Sequence, residues 1–298
     1  MKRLVLVGSF LLGVAGIAWH PSRPLYMAHR EVEVTVDDGI RLRGTISTPR
    51  WKRGPFPAMV LVHGSGPLTR AQLTGDRRQL VRLGFAVLAY DKRGAGASSG
   101  RYLPGATTPP DSLIRRMARD AATVFDRFAD DAAVDTSRLG FFGASQAGWI
   151  IPQAAELTRL RPRFQVVLSG NAVSTGIEQL YSDLTGDGTR TPLVTDQTEI
   201  ERRLSAVTGP LGFDPAPLLR RSQVPTLWLL GGRDESGPTF ATVRTLDSLR
   251  AVGADRHDVI VYPDANHALR DVVTGAPAPV WRDMMTWLVR IQVIDGSE

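Results

Sequence analysis

The sequence predicts an α/β fold in which helices cover both faces of a doubly wound, mostly parallel sheet of eight strands. Short continuous apolar runs alternate along the chain with longer segments whose apolar residues recur every three or four positions. The chain has 298 residues, of which 43% are hydrophobic and 22% charged. It is long enough for one large domain or two small ones, and we expect one, over residues 30–295.

The first two strands are expected to form an antiparallel hairpin. "EVEVTV" (31–36) and "IRLRGTIST" (40–48) both alternate polar and apolar residues, and the turn "DDG" (37–39) separates them. Six further strands are predicted from continuous apolar runs, which indicate strands buried on both faces. These runs are "PAMVLV" (57–62), "GFAVLAYD" (84–91), "RLGFF" (138–142), "FQVVLS" (164–169), "VPTLWLLG" (224–231) and "HDVIVY" (257–262).

Amphipathic helices are predicted between these strands, over 111–129, 239–253 and 280–291. Asp111 or Ser112 can cap the first of them. A further helix is expected to begin after the strand "RLGFF", in "AGWIIPQAAEL" (147–157).

One connection between strands is longer than a crossover requires. More than fifty residues separate Ser169 from Val224, whereas a helix and two short loops suffice. The stretch is polar and glycine-rich in "LTGDGTRTP" and helical in pattern in "TDQTEIERRLSAV". We therefore expect an inserted helical cap over about 172–222.

The N-terminus has the pattern of an export signal. Lys2 and Arg3 precede the apolar stretch "LVLVGSFLLGVAGIAW", which is shorter than the roughly 20 residues needed to span a bilayer. We predict a signal peptide over residues 1–20, cleaved after Ala18, and a periplasmic or secreted protein. An uncleaved segment that anchors the protein to a membrane is the first alternative, and a buried N-terminal strand or helix is the second.

Ser145 is the candidate nucleophile. It lies in "FFGASQAGWI" (141–150), on the turn between a predicted strand and a predicted helix. Such a turn holds a serine hydroxyl above the sheet in a strained conformation, so the residues two positions away must be small. Gly143 and Ala147 are small, which makes the pattern a Gly-x-Ser-x-Gly elbow with alanine in the last place. An ordinary turn between strand and helix is the alternative.

His267 is the expected base for Ser145, and Asp234 the expected carboxylate that orients it. Both follow predicted strands, and loops after parallel strands converge at one edge of a sheet. Asp234 can accept a hydrogen bond from the imidazole and stabilise its protonated form. Glu235 is the nearest rival, and Asp264, which precedes His267 by three residues, can instead shape the loop.

Two backbone amides are expected to bind the oxyanion, those of Gln146 and of Ser65 in the loop "HGSG". Glycines on both sides of Ser65 let that loop approach a ligand closely. The remaining histidines are expected to be non-catalytic: His63 holds this loop by a bond within it, His257 lies at the opposite edge of the sheet, and His20 and His29 belong to the N-terminal tail region.

Several function classes are disfavoured. Cysteine is absent, which excludes disulfides and a cysteine nucleophile. No histidine pair has ligand spacing, so no metal is expected, and "GAGASSG" (94–100) lacks the lysine and helix of a phosphate-binding loop, so no nucleotide cofactor is expected. The net charge is +6, but its basic residues are scattered, which argues against nucleic-acid binding.

Together these features resemble the α/β-hydrolase superfamily over nearly all of the mature region. The resemblance is carried by the opening hairpin, the order Ser145, Asp234, His267, "HGSGP" and "YDKRGAGASSG". "VDTSRLGFFGASQAGWIIP" (134–152) is similar to bacterial serine esterases and acyl hydrolases near the prolyl-oligopeptidase and dienelactone-hydrolase branches, except that many relatives have glycine in place of Ala147. The resemblance implies the α/β-hydrolase fold and an internal ion pair through which Asp91 and Arg93 hold loops.

The leading prediction is a carboxylesterase-type serine hydrolase that cleaves a small-molecule ester or acyl substrate through an acyl-enzyme, without a cofactor. A serine peptidase resembling an aminopeptidase and a thioester acyl hydrolase are the alternatives within the class. A catalytically inactive binding module of the same fold is the alternative from a different class. The natural substrate and the oligomeric state stay open.

Overall fold

The computed structural model describes residues 26–105, 109–209 and 211–296. Eight strands of these residues form a sheet in the order β1-β2-β4-β3-β5-β6-β7-β8. The strands are β1 (Met27–Thr35), β2 (Arg41–Pro49), β3 (Phe56–Val62), β4 (Ala86–Tyr90), β5 (Val134–Ala144), β6 (Gln165–Leu168), β7 (Thr226–Gly231) and β8 (His257–Tyr262).

The sheet is antiparallel only at its beginning. β1 pairs antiparallel with β2, and β2 antiparallel with β4, while the other neighbouring strands are parallel. The predicted hairpin and the mostly parallel eight-stranded sheet are thereby confirmed. Because β3 to β8 run in one direction, the loops after them meet at a common edge.

Eight α-helices lie within the described residues. They are α1 (Thr74–Arg82), α2 (Pro110–Ala129), α3 (Ala147–Ala155), α4 (Thr175–Thr185), α5 (Gln197–Ser205), α6 (Ala216–Arg221), α7 (Thr239–Ala251) and α8 (Val280–Arg290). The prediction that Asp111 or Ser112 caps α2 is wrong. The helix begins at Pro110 with Pro109 as N-cap, since a proline at the first helical position has a suitable φ and needs no hydrogen-bond donor.

The core lies on both faces of the sheet. Alternate residues of β3 face opposite sides, so that Val60 joins a cluster containing residues of α2 and α3, whereas Met59 and Leu61 join a second cluster containing residues of α1 and α8. Each of these three side chains is at most 1% exposed. Full burial of such a side chain contributes roughly 1.5–3 kcal/mol.

The long connection between β6 and β7 contains α4, α5 and α6. A small cluster of its own joins α4 to α5, formed by Tyr181, Leu184, Ile200 and Leu204. Helix α6 is not part of this cluster and contacts α3 and α7 instead. We call the part from α4 to α5 (175–205) the insertion, because it is the part with a separate core.

The predicted signal segment 1–20 and His20 lie outside the described residues, and export stays a prediction. His29 is not part of a tail but lies in β1, where its Nδ1 is 3.0 Å from Ser47 Oγ. Among the residues that the structure describes, no helix has the length and apolar character needed to cross a membrane.

Candidate active site

Ser145 occupies a strained turn between β5 and α3. Its φ is 57°, in the left-handed region that disfavours side chains, and its amide donates a hydrogen bond to the carbonyl of Leu168 over 2.9 Å. A Cβ added to Gly143 would lie 2.6 Å from Cβ of Ala147 and 2.6 Å from the carbonyl oxygen of Val62. The absence of a side chain at Gly143 therefore leaves room for the methyl group of Ala147.

Asp234 and His267 are joined by a hydrogen bond. Nδ1 of His267 lies 2.8 Å from Oδ2 of Asp234, whose side chain is 2% exposed, whereas that of the histidine is 34% exposed. The other carboxylate oxygen accepts the amides of Ser236 and Gly237, each over 2.8 Å. Since a buried carboxylate needs such donors, these three bonds hold Asp234 in one orientation.

The electrostatic surroundings of His267 favour its protonated form. Burial lowers its pKa, but the hydrogen bond and charge of Asp234, with the charges of Asp187 and Glu178, outweigh burial and raise the pKa above its ordinary value. A histidine held in this way can accept a proton and stay stabilised as imidazolium.

Ser145 and His267 make no hydrogen bond with each other among the described contacts. The loop after β6 packs between the helix that follows Ser145 and the loop that carries Asp234. A Cβ at Gly148 would lie 2.9 Å from the amide nitrogen of Asn171, and one at Gly237 would lie 2.8 Å from Asn171 Oδ1. In structures without substrate, catalytic hydrogen bonds are often long and shorten when substrate binds.

The two amides predicted for the oxyanion lie beside the serine. Ser65 and Gln146 line one cavity together with Ser145. A Cβ at Gly64 would lie only 3.4 Å from Cβ of Ser145, so the loop before Ser65 touches the elbow. Within the described residues neither amide donates a hydrogen bond to the protein, which leaves both available to a ligand.

The cavity that contains Ser145 has a volume of about 630 Å³. The insertion forms much of its wall, through residues of α4 and of the segment that follows α4, namely Thr175, Gly176, Glu178, Gln179, Ser182, Asp187 and Arg190. This size falls within the range of roughly 300–1,000 Å³ usual for small-molecule sites.

Glu178 is the most perturbed carboxyl group of this cavity. Burial, followed by the charge of Asp187, raises the pKa of Glu178 to about 7. Tyr181, one turn further along α4, donates its hydroxyl to the backbone carbonyl of Asp234 over 2.6 Å. The insertion is thus linked both to the cavity and to the loop that carries Asp234.

Two expectations about supporting residues need correction. His63 does not bond within its own loop: its Nε2–H donates to the carbonyl of Tyr90 in β4. Asp91 and Arg93 do not pair with each other. Asp91 accepts the amide of Arg70 over 2.8 Å and lies 3.4 Å from its guanidinium, whereas Arg93 pairs with Asp120 of α2.

His257, in contrast, lies where the sequence places it. It is 2% exposed at the start of β8, remote from the loops after the strands, and its Nε2–H donates to the carbonyl of Leu219 over 3.0 Å.

No group of three or more His, Cys, Asp or Glu side chains that could hold a metal ion occurs in ranges 26–105, 109–209 and 211–296.

Three residues near the site were missed from the sequence: Lys92, Glu178 and Tyr181. A lysine in a loop and a glutamate on a helix are exposed in most proteins, so neither residue attracts attention. The only available indication for Lys92 was its position in "YDKRG", directly after a buried strand. Glu178 and Tyr181 belong to a segment whose packing the sequence does not reveal.

Comparison with known families agrees with this geometry. The sequence profile described as the prolyl oligopeptidase family matches residues 72–292. The chain belongs to the prolyl oligopeptidase family. The matched residues include the predicted nucleophile Ser145, carboxylate Asp234 and base His267. The family also agrees with the α/β-hydrolase superfamily that the sequence around Ser145 resembles.

Two curated proteins resemble this prolyl oligopeptidase family member. The esterase EstD of Thermotoga maritima is 24% identical over a 263-position alignment, which covers 80% of this chain and 60% of EstD. The probable dipeptidyl-aminopeptidase B of Ajellomyces capsulatus is 27% identical over a 217-position alignment, which covers 70% of this chain and 21% of the relative. The chain therefore spans less than two thirds of the length of either.

Solved structures support the α/β-hydrolase fold of this family member. The esterase Pf2001 of Pyrococcus furiosus superposes with a TM-score of 0.63 at 15% identity, covering 89% of this chain and 92% of that chain. The α/β-hydrolase GrgF of a Penicillium species superposes with a TM-score of 0.60 at 19% identity, covering 90% and 100%. At such identities the likeness establishes the fold alone.

Proposed function

We propose that this protein is a serine hydrolase that cleaves carboxylic esters through an acyl-enzyme. The observation that carries the proposal is the pairing of a strained serine turn with a buried carboxylate–histidine pair at one edge of the sheet. Ser145 has a φ of 57°, and His267 lies 2.8 Å from Asp234. A residue held in such a sparsely populated backbone region costs about 1–3 kcal/mol, and residues of this kind cluster at functional sites.

The mechanism starts with attack of Ser145 Oγ on the substrate carbonyl carbon. Nε2 of His267 accepts the hydroxyl proton, and Asp234 stabilises the resulting imidazolium. The amides of Ser65 and Gln146 donate to the oxyanion. The proton on His267 then passes to the leaving alkoxide. Water, deprotonated by the same histidine, attacks the ester formed with Ser145, and the proton passes from His267 to the departing Oγ as the acid is released.

Ester cleavage is favoured over peptide cleavage by the relative of greater coverage. EstD, named an esterase, matches 80% of this chain. A serine peptidase is the second candidate, because the matching family is that of prolyl oligopeptidase and the second relative is named an aminopeptidase. This chain matches only 21% of that relative, so the similarity leaves most of it unaccounted for.

Labelling with a fluorophosphonate tests the class of function. The wild-type protein is expected to be labelled at Ser145, and Ser145→Ala is expected to keep its fold, lose the label and lose several orders of magnitude of turnover, because members of a triad act as a unit. Absence of labelling in folded wild type would indicate a binding module without catalysis. Retention of more than about a tenth of the activity in the variant would exclude Ser145 as nucleophile.

A substrate screen separates the candidates within the class. p-Nitrophenyl esters of graded chain length, aminoacyl anilides and acyl thioesters should be compared by kcat/KM. We expect the esters to be hydrolysed best. A higher kcat/KM for an aminoacyl anilide would favour the peptidase, and a higher value for a thioester would favour a thioester acyl hydrolase.

We propose further that the insertion acts as a cap that selects substrates. Its helix α4 contributes Glu178 and Gln179 to the wall of the cavity around Ser145. Shortening the insertion should change preference for acyl chain length more than it changes hydrolysis of a small acetate ester. Equal effects on all esters would mean that the insertion only supports the fold.

A further inference from the structure

One buried ammonium group connects the two loops that carry the proposed oxyanion amides. Lys92 follows the end of β4 by two residues and is 5% exposed. Its Nζ donates to the carbonyl of Gly64 and, over 3.2 Å, to the side-chain oxygen of Gln146. Gly64 directly precedes Ser65, and Gln146 directly follows the serine of the elbow. Lys92 therefore contacts both of the loops that carry these amides.

No carboxylate compensates the charge of Lys92. Among the described residues, Lys92 has no ion pair. Of the carboxylates near it, Asp91 accepts hydrogen bonds from Arg70 and from the amide of Ala97, and Asp120 pairs with Arg93. A buried charge without a counter-ion costs free energy, which hydrogen bonds to the charged group offset only in part. Both observed acceptors of this ammonium are neutral carbonyl oxygens.

The titratable groups around Lys92 come from its own loop and from the elements packed against it. They are His63 at the end of β3, Tyr90 at the end of β4, the adjacent Asp91 and Arg93, and Asp120 of α2. Burial lowers the pKa of His63 to about 4, so that it is neutral near pH 7. Burial also lowers the pKa of Lys92, to about 8, which leaves it mostly protonated at neutral pH.

We propose that Lys92 is a positioning residue for the oxyanion hole, which holds the Ser65 loop and Gln146 in register and adds an uncompensated positive charge beside the developing oxyanion. The inference rests on the proposed function, because it requires an oxyanion at these amides. Preorganised charge of this kind acts chiefly on the transition state, since the substrate carbonyl is neutral before attack.

Lys92→Met tests this role, because methionine keeps much of the apolar stem and removes the charge and the donors. For p-nitrophenyl acetate we expect kcat to fall by about 10- to 100-fold and KM to change less than about threefold, as for loss of transition-state stabilisation. The wild type should lose activity as pH rises through about 8, where Lys92 loses its proton, and the methionine variant should lack this alkaline limb.

Lys92→Arg supplies the matched control. Arginine keeps its charge at high pH, so this variant should retain more activity than the methionine variant and extend the plateau beyond pH 9 or so. A purely structural lysine would change the thermal midpoint and leave the pH profile of the folded protein unchanged. If the methionine variant does not fold, the arginine variant decides: an extended plateau supports the proposal, and an unmoved limb overturns it.

Fluorophosphonate labelling of the wild type separates this inference from the function on which it rests. If folded wild type is not labelled, the proposed function fails, and this role with it. If wild type is labelled but its activity shows no alkaline limb near pH 8, the proposed mechanism stands and the role of Lys92 is overturned. The same conclusion follows if Lys92→Met keeps the wild-type kcat or the wild-type alkaline limb.

Discussion

His63 and His267 both follow strands of one parallel sheet, and their surroundings shift their pKa values in opposite directions. His63 is 1% exposed, donates Nε2–H to the carbonyl of Tyr90, and has its pKa lowered to about 4 by burial. The side chain of His267 is 34% exposed and bonded to Asp234, which helps to raise its pKa. A position at the end of a strand therefore does not by itself suit a histidine to act as a base, since the proposed base also has a carboxylate partner and greater exposure.

The largest effect is expected from removal of the accessible histidine. His267→Ala should lower kcat by about 10⁵- to 10⁶-fold, since the serine then has no base and triad members act together. His63→Phe should stay within about tenfold of wild-type kcat, because its ring is buried away from the substrate. Steady-state hydrolysis of p-nitrophenyl acetate measures both, and equal losses in the two variants would abolish the distinction between these histidines.

Loss of the carboxylate comes next. Asp234→Asn should lower kcat by about 10⁴-fold, because the favoured tautomer and the charge that stabilises imidazolium are lost. The remaining activity should have its acid limb at lower pH than in wild type, since burial then lowers the pKa of His267 without opposition from Asp234.

Glu235→Gln is the matched control for this change. It removes the neighbouring carboxylate and should alter neither the plateau rate nor the acid limb. If Glu235→Gln abolished activity while Asp234→Asn left both quantities intact, the carboxylate would have been chosen wrongly.

A smaller effect is expected on stability, and it belongs to His63. Because its folded pKa is lowered from an unfolded value of 6.5, the neutral buried ring stabilises the fold fully above pH 6.5. That stability is lost as pH falls from 6.5 toward about 4, by about 3 kcal/mol.

His63→Phe should isolate this contribution. Near pH 7 it should be less stable than wild type by about 1–3 kcal/mol, because the carbonyl of Tyr90 loses its donor. The difference in free energy of unfolding between the two proteins, measured by urea denaturation, should narrow or reverse at pH 4. A constant difference over this pH range would mean that His63 does not titrate in this way.

The smallest effect is a displacement of the acid limb in wild type. In the proposed mechanism His267 must be neutral to accept the proton of Ser145, so kcat/KM should fall as pH decreases through its raised pKa, above the ordinary value of about 6.5. A profile of kcat/KM from pH 4 to 10 measures it. A half-maximal value well below pH 6.5 would contradict the pairing with Asp234.

Much of the fold was predictable because burial on two faces leaves a direct trace in sequence. The runs that became β3 to β7 are mostly apolar, and small residues around Ser145 mark the turn. Burial on both faces was wrongly predicted for β8, which lies at the edge of the sheet and is only partly buried. Helix α1 was missed because only Leu80 and Val81 of its nine residues are buried, too few to produce a helical periodicity.

The partners of charged residues were less predictable than the elements that carry them. Arg93 pairs with Asp120 and His63 with Tyr90, each 27 positions away in the chain, and sequence spacing does not reveal contacts that depend on how helices and strands pack. The contacts of Lys92 were not predictable for the same reason. Its surroundings are built by two loops that meet only in the folded sheet.

The separate small core of the insertion has a consequence for how this molecule can change. Since α4 and α5 pack around Tyr181, Leu184, Ile200 and Leu204, their exposed positions can vary without disturbing the central sheet. The hydroxyls of Tyr181 and Thr185 must be kept, because they donate to the carbonyls of Asp234 and Glu235, and Glu178 must be kept because its charge helps to raise the pKa of His267. A mutant library that randomises the cavity-facing positions of α4 other than Glu178, and keeps Tyr181 and Thr185, is therefore expected to diversify substrate range while Ser145, Asp234 and His267 keep their arrangement.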